Sequence, residues 1–156
     1  MAPSTEIHTV QPFFIVGIAV RTTNEQGQAT QDIPALWGRF FAENIAASIP
    51  NALDQSLYCV YTDYESDHTK PYTTVLGLKV GTLDTVPAGM VGITCGGGKY
   101  QQFTATGSLN QGVVFGEWTK IWNSNLPRMF TADFEVYGDK AKNPDAAEVD
   151  IFIAVQ

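Results

Sequence analysis

One carboxylate in the second half of the sequence stands among aromatic side chains. Glu135 follows Phe134 and is separated from Tyr137 by a single apolar residue. In a strand, alternate residues point to the same face, so Glu135 and Tyr137 are expected to lie side by side. A carboxylate in apolar surroundings is costly unless it is protonated or paired, and a bound organic cation would supply the missing charge. The pattern therefore indicates a site for a lipophilic cation, although an exposed Glu on a half-solvated strand would give the same sequence.

Aromatic residues also recur at i and i+4 in two segments with helical periodicity. Trp37 and Phe41 form one such pair, and Trp118 and Trp122 form the other. Side chains at this spacing stack on one face of a helix, and aromatic faces attract cations by about 0.5 to 2 kcal/mol per contact. We expect these four residues to line a ligand cleft, with simple core packing as the alternative for each of them.

Tyrosines on the predicted strands can add rings and hydroxyl groups to the same cleft. Tyr61 and Tyr137 occupy matching places in two similar segments, and Tyr137 shares its strand face with Glu135. We therefore predict that Tyr61 and Tyr137 face the cleft, and we include Tyr72 from a neighbouring strand. A register error of one residue would move any of them to the opposite face.

The elements that must position these residues are used twice along the chain. Each half has the order β-α-β-β, with an aromatic helix face followed by a short aromatic strand. When the halves are aligned, Cys59 of the first falls where Glu135 stands in the second. The predicted elements cover residues 13–22, 32–49, 57–64 and 72–80 in the first half, and residues 99–105, 113–125, 131–137 and 148–155 in the second.

Two boundaries follow from local signals. Asp32 is the predicted N-cap of the first helix, and the Pro50-Asn51 pair ends its apolar pattern. Residues 83–98 are rich in glycine and proline, so we predict a crossover with limited regular structure between the halves.

The resulting fold class is α+β. We predict a pseudo-twofold tandem β-α-β-β repeat in which antiparallel sheets and two helices flank a central cleft. The length suits one domain, so residues 1–156 are expected to form a single unit with repeat halves at about 10–82 and 97–156. A cleft between paired helices and a sheet is a natural place for a ligand.

Composition narrows the range of partners. The net charge is −7 and the nine basic residues are scattered, which argues against direct nucleic-acid binding because phosphate contacts need clustered Lys and Arg. The apolar run from Phe13 to Val20 is too short to span a membrane, and the start of the sequence lacks the pattern of a signal peptide. We therefore predict a cytoplasmic protein that binds no membrane.

The sequence carries no recognisable metal or cofactor motif. His8 and His68 have no cysteine or second histidine at ligand spacing, and Tyr100 stands where a phosphate loop needs Ser or Thr. Cys59 and Cys95 are too few for a disulfide framework and are expected to be free thiols. We predict no metal, no cofactor and no catalytic nucleophile.

Several short segments together resemble the GyrI-like small-molecule-binding family over nearly the whole chain, from about Phe13 to Val155. This family includes the effector-binding domains of multidrug-responsive transcription activators and free-standing relatives, among them integron cassette proteins. The segments that carry the resemblance are Arg21-Thr22-Thr23-Asn24, Leu36-Trp37-Gly38-Arg39-Phe40, residues 60–67, Phe134-Glu135-Val136-Tyr137 and Glu148-Val149-Asp150-Ile151.

The resemblance implies a pocket for lipophilic, often cationic, aromatic compounds, built around one buried Glu on the strand after the second helix. By motif this Glu is Glu135. Activators of the family carry a helix-turn-helix domain in front of this module, whereas here the first strand is predicted to begin at Phe13. A ligand-binding chain would then act without touching DNA, through a transcription-regulator partner or as a homodimer.

Three hypotheses for the function remain open. The first is a binding module that captures aromatic cations with Glu135 as counter-ion, as a ligand sink or a sensor. The second is a hydrolase of strained or electrophilic small molecules, with Glu135 as general base for water and Tyr61 or Tyr137 as proton donor. The third is a protein-interaction role such as inhibition of gyrase, which would use an exposed surface and tolerate the loss of Glu135.

Overall fold

A computed structural model describes residues 7–156 of the chain. We predicted that the start of the sequence carries no signal peptide. Residues 1–6 of this segment lie outside the described residues. The described part contains eight strands and two α-helices: β1 Ile7–Val10, β2 Phe13–Thr22, α1 Ala29–Ala42, β3 Ala52–Thr62, β4 Tyr72–Val80, β5 Val91–Cys95, β6 Gly98–Gly107, α2 Val113–Trp122, β7 Ala132–Tyr137 and β8 Ala147–Val155. Short 3-10 turns occur at Glu25–Gly27, Ile45–Ser48, Leu109–Gln111 and Asp139–Ala141.

All eight strands form one antiparallel sheet in the order β1-β6-β8-β7-β3-β4-β2-β5. The order is symmetric about the β3–β7 pair, because β4 and β8 flank it, then β2 and β6, then β5 and β1. Cys59 and Glu135, which coincide when the two halves are aligned, are directly opposite each other across this central pair. The predicted α+β class, the antiparallel pairing and the twofold arrangement of two helices are confirmed.

The sheet is curled, and its two faces bury different residues. Phe13 on β2 contacts Phe134 on β7 at a ring-centroid distance of 5.2 Å, although β3 and β4 lie between these strands. On the other face, Leu36 and Phe40 of α1 pack over β2 and β4, and Trp118 and Ile121 of α2 pack over β6 and β8. Both helices therefore lie on one face of the sheet, the face toward which Glu135 points.

Two strand predictions are confirmed in full, and several boundaries differ. β2 and β4 have the predicted limits, whereas β3 begins earlier, at Ala52. The crossover, in which we expected limited regular structure, contains β5, which pairs with the edge of β2, and β1 was not predicted. Short edge strands of this kind are specified by pairing with a neighbour rather than by their own sequence pattern.

The first helix begins before the predicted N-cap. α1 starts at Ala29 because the turn at Glu25–Gly27 leads directly into it, and the Ala29 N–H donates to Thr23 O at 2.9 Å. Asp32 lies inside the first turn, where its carboxylate accepts from Thr22 Oγ1 at 2.8 Å. The helix ends at Ala42 before Asn44, which adopts φ 50°, and the predicted last turn is the separate 3-10 turn at Ile45–Ser48. α2 is also shorter than predicted and ends at Trp122.

Close approach of two strands requires glycine at the centre of the first half. Gly17 on β2 is directly opposite Gly77 on β4, and a Cβ on Gly17 would overlap the Leu76 carbonyl oxygen. We expect Gly17→Ala to lower the free energy of unfolding by about 1 to 3 kcal/mol, since the strands must move apart to admit the methyl group. Chemical denaturation of the variant measures this effect.

Gly38 provides the matched control. It is exposed on α1, and a Cβ there would have no atom within 4 Å. Gly38→Ala should therefore raise the free energy of unfolding by roughly 0.5 to 1 kcal/mol through higher helix propensity. Equal stability of Gly17→Ala and the wild type would contradict the packing described for β2 and β4.

Candidate functional site

A cavity of about 400 Å³ lies between the two helices and the sheet. Its walls come from Trp37 on α1, Trp118 and Trp122 on α2, and the central strands β3, β4 and β7. This volume is within the range of cavities that bind small organic molecules. Its lining is predominantly aromatic and aliphatic, with few charged side chains.

Glu135 lies at the bottom of this cavity with only 1% of its surface exposed. Three neutral groups donate hydrogen bonds to its carboxylate. Tyr137 Oη donates to Oε1 at 2.6 Å, while Tyr61 Oη and Trp118 Nε1 donate to Oε2 at 2.9 and 2.6 Å. Neutral donors stabilise a negative charge without cancelling it.

No Lys, Arg or His within residues 7–156 forms an ion pair with Glu135. Burial raises the pKa of the Glu135 carboxyl above its usual value, while the bonds from Tyr137, Trp118 and Tyr61 act in the opposite direction. The site thus combines strong desolvation with a partly stabilised anion. Such a carboxylate can gain a cation from outside the protein.

Strand register explains why these groups meet. Glu135 and Tyr137 are two residues apart on β7, so they share a face, and Tyr61 is two residues from Cys59, the residue opposite Glu135. The central pair of strands therefore directs both tyrosine hydroxyls toward the carboxylate from opposite sides. Cys59 is fully buried beside them, and burial raises the pKa of its thiol well above the usual value.

Two groups of ring contacts line the cavity. Trp37 contacts Tyr137 at a centroid distance of 4.8 Å, and Tyr61 contacts Trp118 at 5.4 Å. Trp118 also contacts Trp122 at 6.3 Å. Each of these contacts joins a helix to a strand or to its own next turn, so the rings hold one another in place.

Of the eight residues that we predicted from the sequence to line the cleft, the structure brings seven together: Trp37, Tyr61, Tyr72, Trp118, Trp122, Glu135 and Tyr137. Phe41 is not among them. It is 63% exposed and lies one helical turn beyond Trp37, on an adjoining surface groove that shares Trp37 and Tyr137 with the cavity. The i+4 step moves a side chain along the helix axis as well as around it, which carries Phe41 past the end of the cavity.

Other cavity-lining residues were missed by the sequence analysis. Arg128 and His68 lie on loops without any periodicity, and Tyr64 follows the last residues of β3. His68 stacks on Trp122 with an interplanar angle of 9°. No sequence pattern predicts that these loops fold over the cavity, and strand parity would place Tyr64, three residues after Tyr61, on the opposite face.

Residues 7–156 contain no group of three or more His, Cys, Asp or Glu side chains placed to hold a metal ion. Across the same residues, neither helix combines the length and the apolar character needed to cross a membrane.

Comparison with known proteins identifies the family of the chain. The family model for integron-associated effector-binding proteins matches residues 6–155. The chain belongs to this family. A solved integron cassette protein from the mobile metagenome of Vibrio cholerae is 33% identical, with 98% of this chain and 96% of that chain covered and a TM-score of 0.75.

Two further proteins extend the comparison beyond the Vibrio cholerae cassette protein. YobU of Bacillus subtilis (strain 168), named as a candidate transcriptional regulator, is 29% identical over 144 residues, which is 90% of each chain. The structure of SAV2435 bound to tetraphenylphosphonium superposes with a TM-score of 0.78 at 18% identity, covering 100% of this chain and 94% of that one. The last similarity shows a common fold.

Proposed function

We propose that this effector-binding family member binds lipophilic aromatic cations in the cavity between its helices, with Glu135 as the counter-ion. One observation carries the proposal: a carboxylate that is 1% exposed receives three neutral hydrogen bonds but no ion pair within residues 7–156. A bound cation would complete this site. It would compensate the buried charge at a place where the protein itself supplies only dipoles.

Lipophilic cations suit this site better than small, strongly hydrated ones. Moving a compact ion into an apolar cavity costs several kcal/mol, whereas a charge spread over or shielded by aromatic groups loses less hydration. The faces of Trp37, Trp118 and Trp122 attract such cations through the ring quadrupole. Aromatic contacts of this kind are tolerant of ligand shape, so we propose recognition of a class of compounds.

The comparisons support this proposal at two levels. The family is described by effector binding, and SAV2435, which has the same fold, is described as bound to tetraphenylphosphonium. The name of YobU supports a role in which ligand occupancy is sensed by the transcription machinery. We propose a sensor role of this kind, through a regulator partner or a homodimer.

The hydrolase hypothesis has less support, because both oxygens of Glu135 already accept hydrogen bonds from protein groups.

The proposed counter-ion makes binding depend on pH in a defined direction. The folded-state pKa of Glu135 is raised by burial, so acidification protonates it before an ordinary Glu and removes the charge that holds the cation. For tetraphenylphosphonium, whose charge does not change with pH, we expect the dissociation constant to be flat above this pKa. Below it, the constant should rise by up to about tenfold per pH unit and level off about 10- to 100-fold higher, at the value expected for a neutral side chain.

The stability of the ligand-free protein should move in the opposite direction. Because the folded pKa of Glu135 lies above the unfolded value, its protonation stabilises the fold. This contribution is full below the unfolded pKa and is lost as the pH rises through the folded pKa.

Titration of tryptophan fluorescence with tetraphenylphosphonium at a series of pH values tests the expected pH dependence of binding, and Glu135→Gln is the control. A wild-type dissociation constant that follows the same pH profile as this variant would refute the counter-ion role.

A further inference from the structure

A second charged side chain lines the same cavity, and some of its hydrogen-bond donors have no partner in the described part of the protein. Arg128 lies between α2 and β7 with its side chain only 5% exposed. Its Nη2 donates to Asp133 Oδ2 at 2.8 Å. Its Nε and Nη1 are buried and have no hydrogen-bond partner among the described residues. Buried donors without partners are rare in folded proteins, because each one loses its bonds to water without replacement.

Asp133 cannot satisfy these remaining donors. It is fully buried, and its Oδ1 accepts the Ala154 N–H at 2.8 Å. Its Oδ2 accepts from the Tyr64 hydroxyl as well as from Arg128. The carboxylate therefore compensates the charge of the guanidinium but leaves Nε and Nη1 of this cavity-lining residue without an acceptor among residues 7–156.

Aromatic rings hold the guanidinium in this position. Its Cζ lies 4.3 Å from the ring centroid of Phe130 and 5.9 Å from that of Trp118. Trp118 is also the residue whose Nε1 donates to Glu135. One indole thus contacts both the carboxylate and the guanidinium, and the two lie within reach of one elongated ligand.

We propose that Arg128 forms an acceptor subsite, and that the preferred ligands are aromatic cations that also carry a carbonyl or carboxylate oxygen. This proposal rests on the cation-binding function proposed above. The cationic part lies against Glu135, and the oxygen of the same molecule accepts from Arg128 Nε or Nη1. Because Asp133 already compensates the charge of Arg128, the subsite selects a hydrogen-bond acceptor on a cation rather than a simple anion.

The test compares two ligands that share the cation and differ only at the end of a five-carbon chain. Pentyltriphenylphosphonium ends in a methyl group, and 4-carboxybutyltriphenylphosphonium ends in a carboxylate. In the wild type we expect the carboxybutyl compound to bind about tenfold more tightly, the factor typical of a charge-assisted hydrogen bond. Calorimetric titration gives the ratio of the two dissociation constants.

Two variants assign this ratio to Arg128. Arg128→Lys keeps a cation beside Asp133 but removes the Nε and Nη1 donors, and Arg128→Met combined with Asp133→Asn removes both charges in case the first variant is unstable. In each variant the ratio should fall to about one. A ratio near one in the wild type, with clear binding of the pentyl compound, would overturn the subsite and leave the Glu135 pocket standing. A preference that persists in both variants would also overturn it. Failure of both compounds to bind the wild type would overturn the cation pocket and the subsite together.

Discussion

Replacing Glu135 with Gln is expected to weaken the binding of tetraphenylphosphonium by about 10- to 100-fold, equivalent to roughly 1.5 to 3 kcal/mol. The variant keeps the size of the side chain and one oxygen, which can still accept from Tyr61 and Trp118 at the place of Oε2, but it removes the buried negative charge. Quenching of tryptophan fluorescence provides the measurement, because Trp37, Trp118 and Trp122 all line the cavity.

Two controls separate the counter-ion effect from other causes. Glu43→Gln makes the same change of net charge on an exposed residue of the segment after α1, outside the cavity, and should leave the affinity within about twofold because exposed charges are screened. Triphenylmethanol, which is neutral, should bind wild type and Glu135→Gln with similar affinity. A Glu135→Gln variant that binds tetraphenylphosphonium as tightly as the wild type would exclude Glu135 as the counter-ion.

The largest expected effect on stability concerns the buried pair of Arg128 and Asp133. Their side chains are 5% and 0% exposed, and Asp133 also accepts bonds from Tyr64 and from the Ala154 N–H. Asp133→Ala would leave Arg128 buried without a counter-charge and the Ala154 N–H without an acceptor. We expect a loss of about 3 to 5 kcal/mol in the free energy of unfolding.

A double-mutant cycle distinguishes this mechanism from simple loss of packing. Asp133→Asn keeps an acceptor for the Ala154 N–H and removes only the charge, while Arg128→Met removes the opposite charge. The double variant should be more stable than the sum of the two single changes implies, by at least about 1 kcal/mol, since neither charge is then buried alone. Chemical denaturation of the four proteins measures the coupling. Additive losses would show that the two residues do not act as a pair.

The sequence predicted those parts of the fold that have a strong local pattern. β2 and β4 are continuous runs rich in apolar and β-branched residues, bounded by proline, a polar residue or glycine, so both were predicted to the residue. β5 lies in a stretch rich in glycine and depends on hydrogen bonds to β2, which no local pattern encodes. The start of α1 was misplaced because Asp32 has the chemistry of an N-cap. Asp32 instead lies inside the helix and accepts a hydrogen bond from Thr22 on β2.

The centre of the candidate site was more predictable than its rim. Parity along β7 and the internal repeat together placed Glu135, Tyr137 and Tyr61 on one face, and the central strand pair brings them within hydrogen-bond distance. Arg128 and His68 reach the cavity from loops whose path depends on the whole fold. Helical spacing alone could not show that Phe41 lies beyond the end of the cavity.

A crystal structure of the protein with tetraphenylphosphonium tests the central claim most directly. We expect the phosphonium in the cavity between Trp37 and Trp118, with its phosphorus as near to the Glu135 carboxylate as the phenyl groups allow. The hydrogen bonds from Tyr61, Tyr137 and Trp118 to Glu135 should be retained, since they stabilise the ionised form. A saturated complex with the phosphonium outside this cavity, for example in the surface groove beside Phe41, would contradict the proposed function.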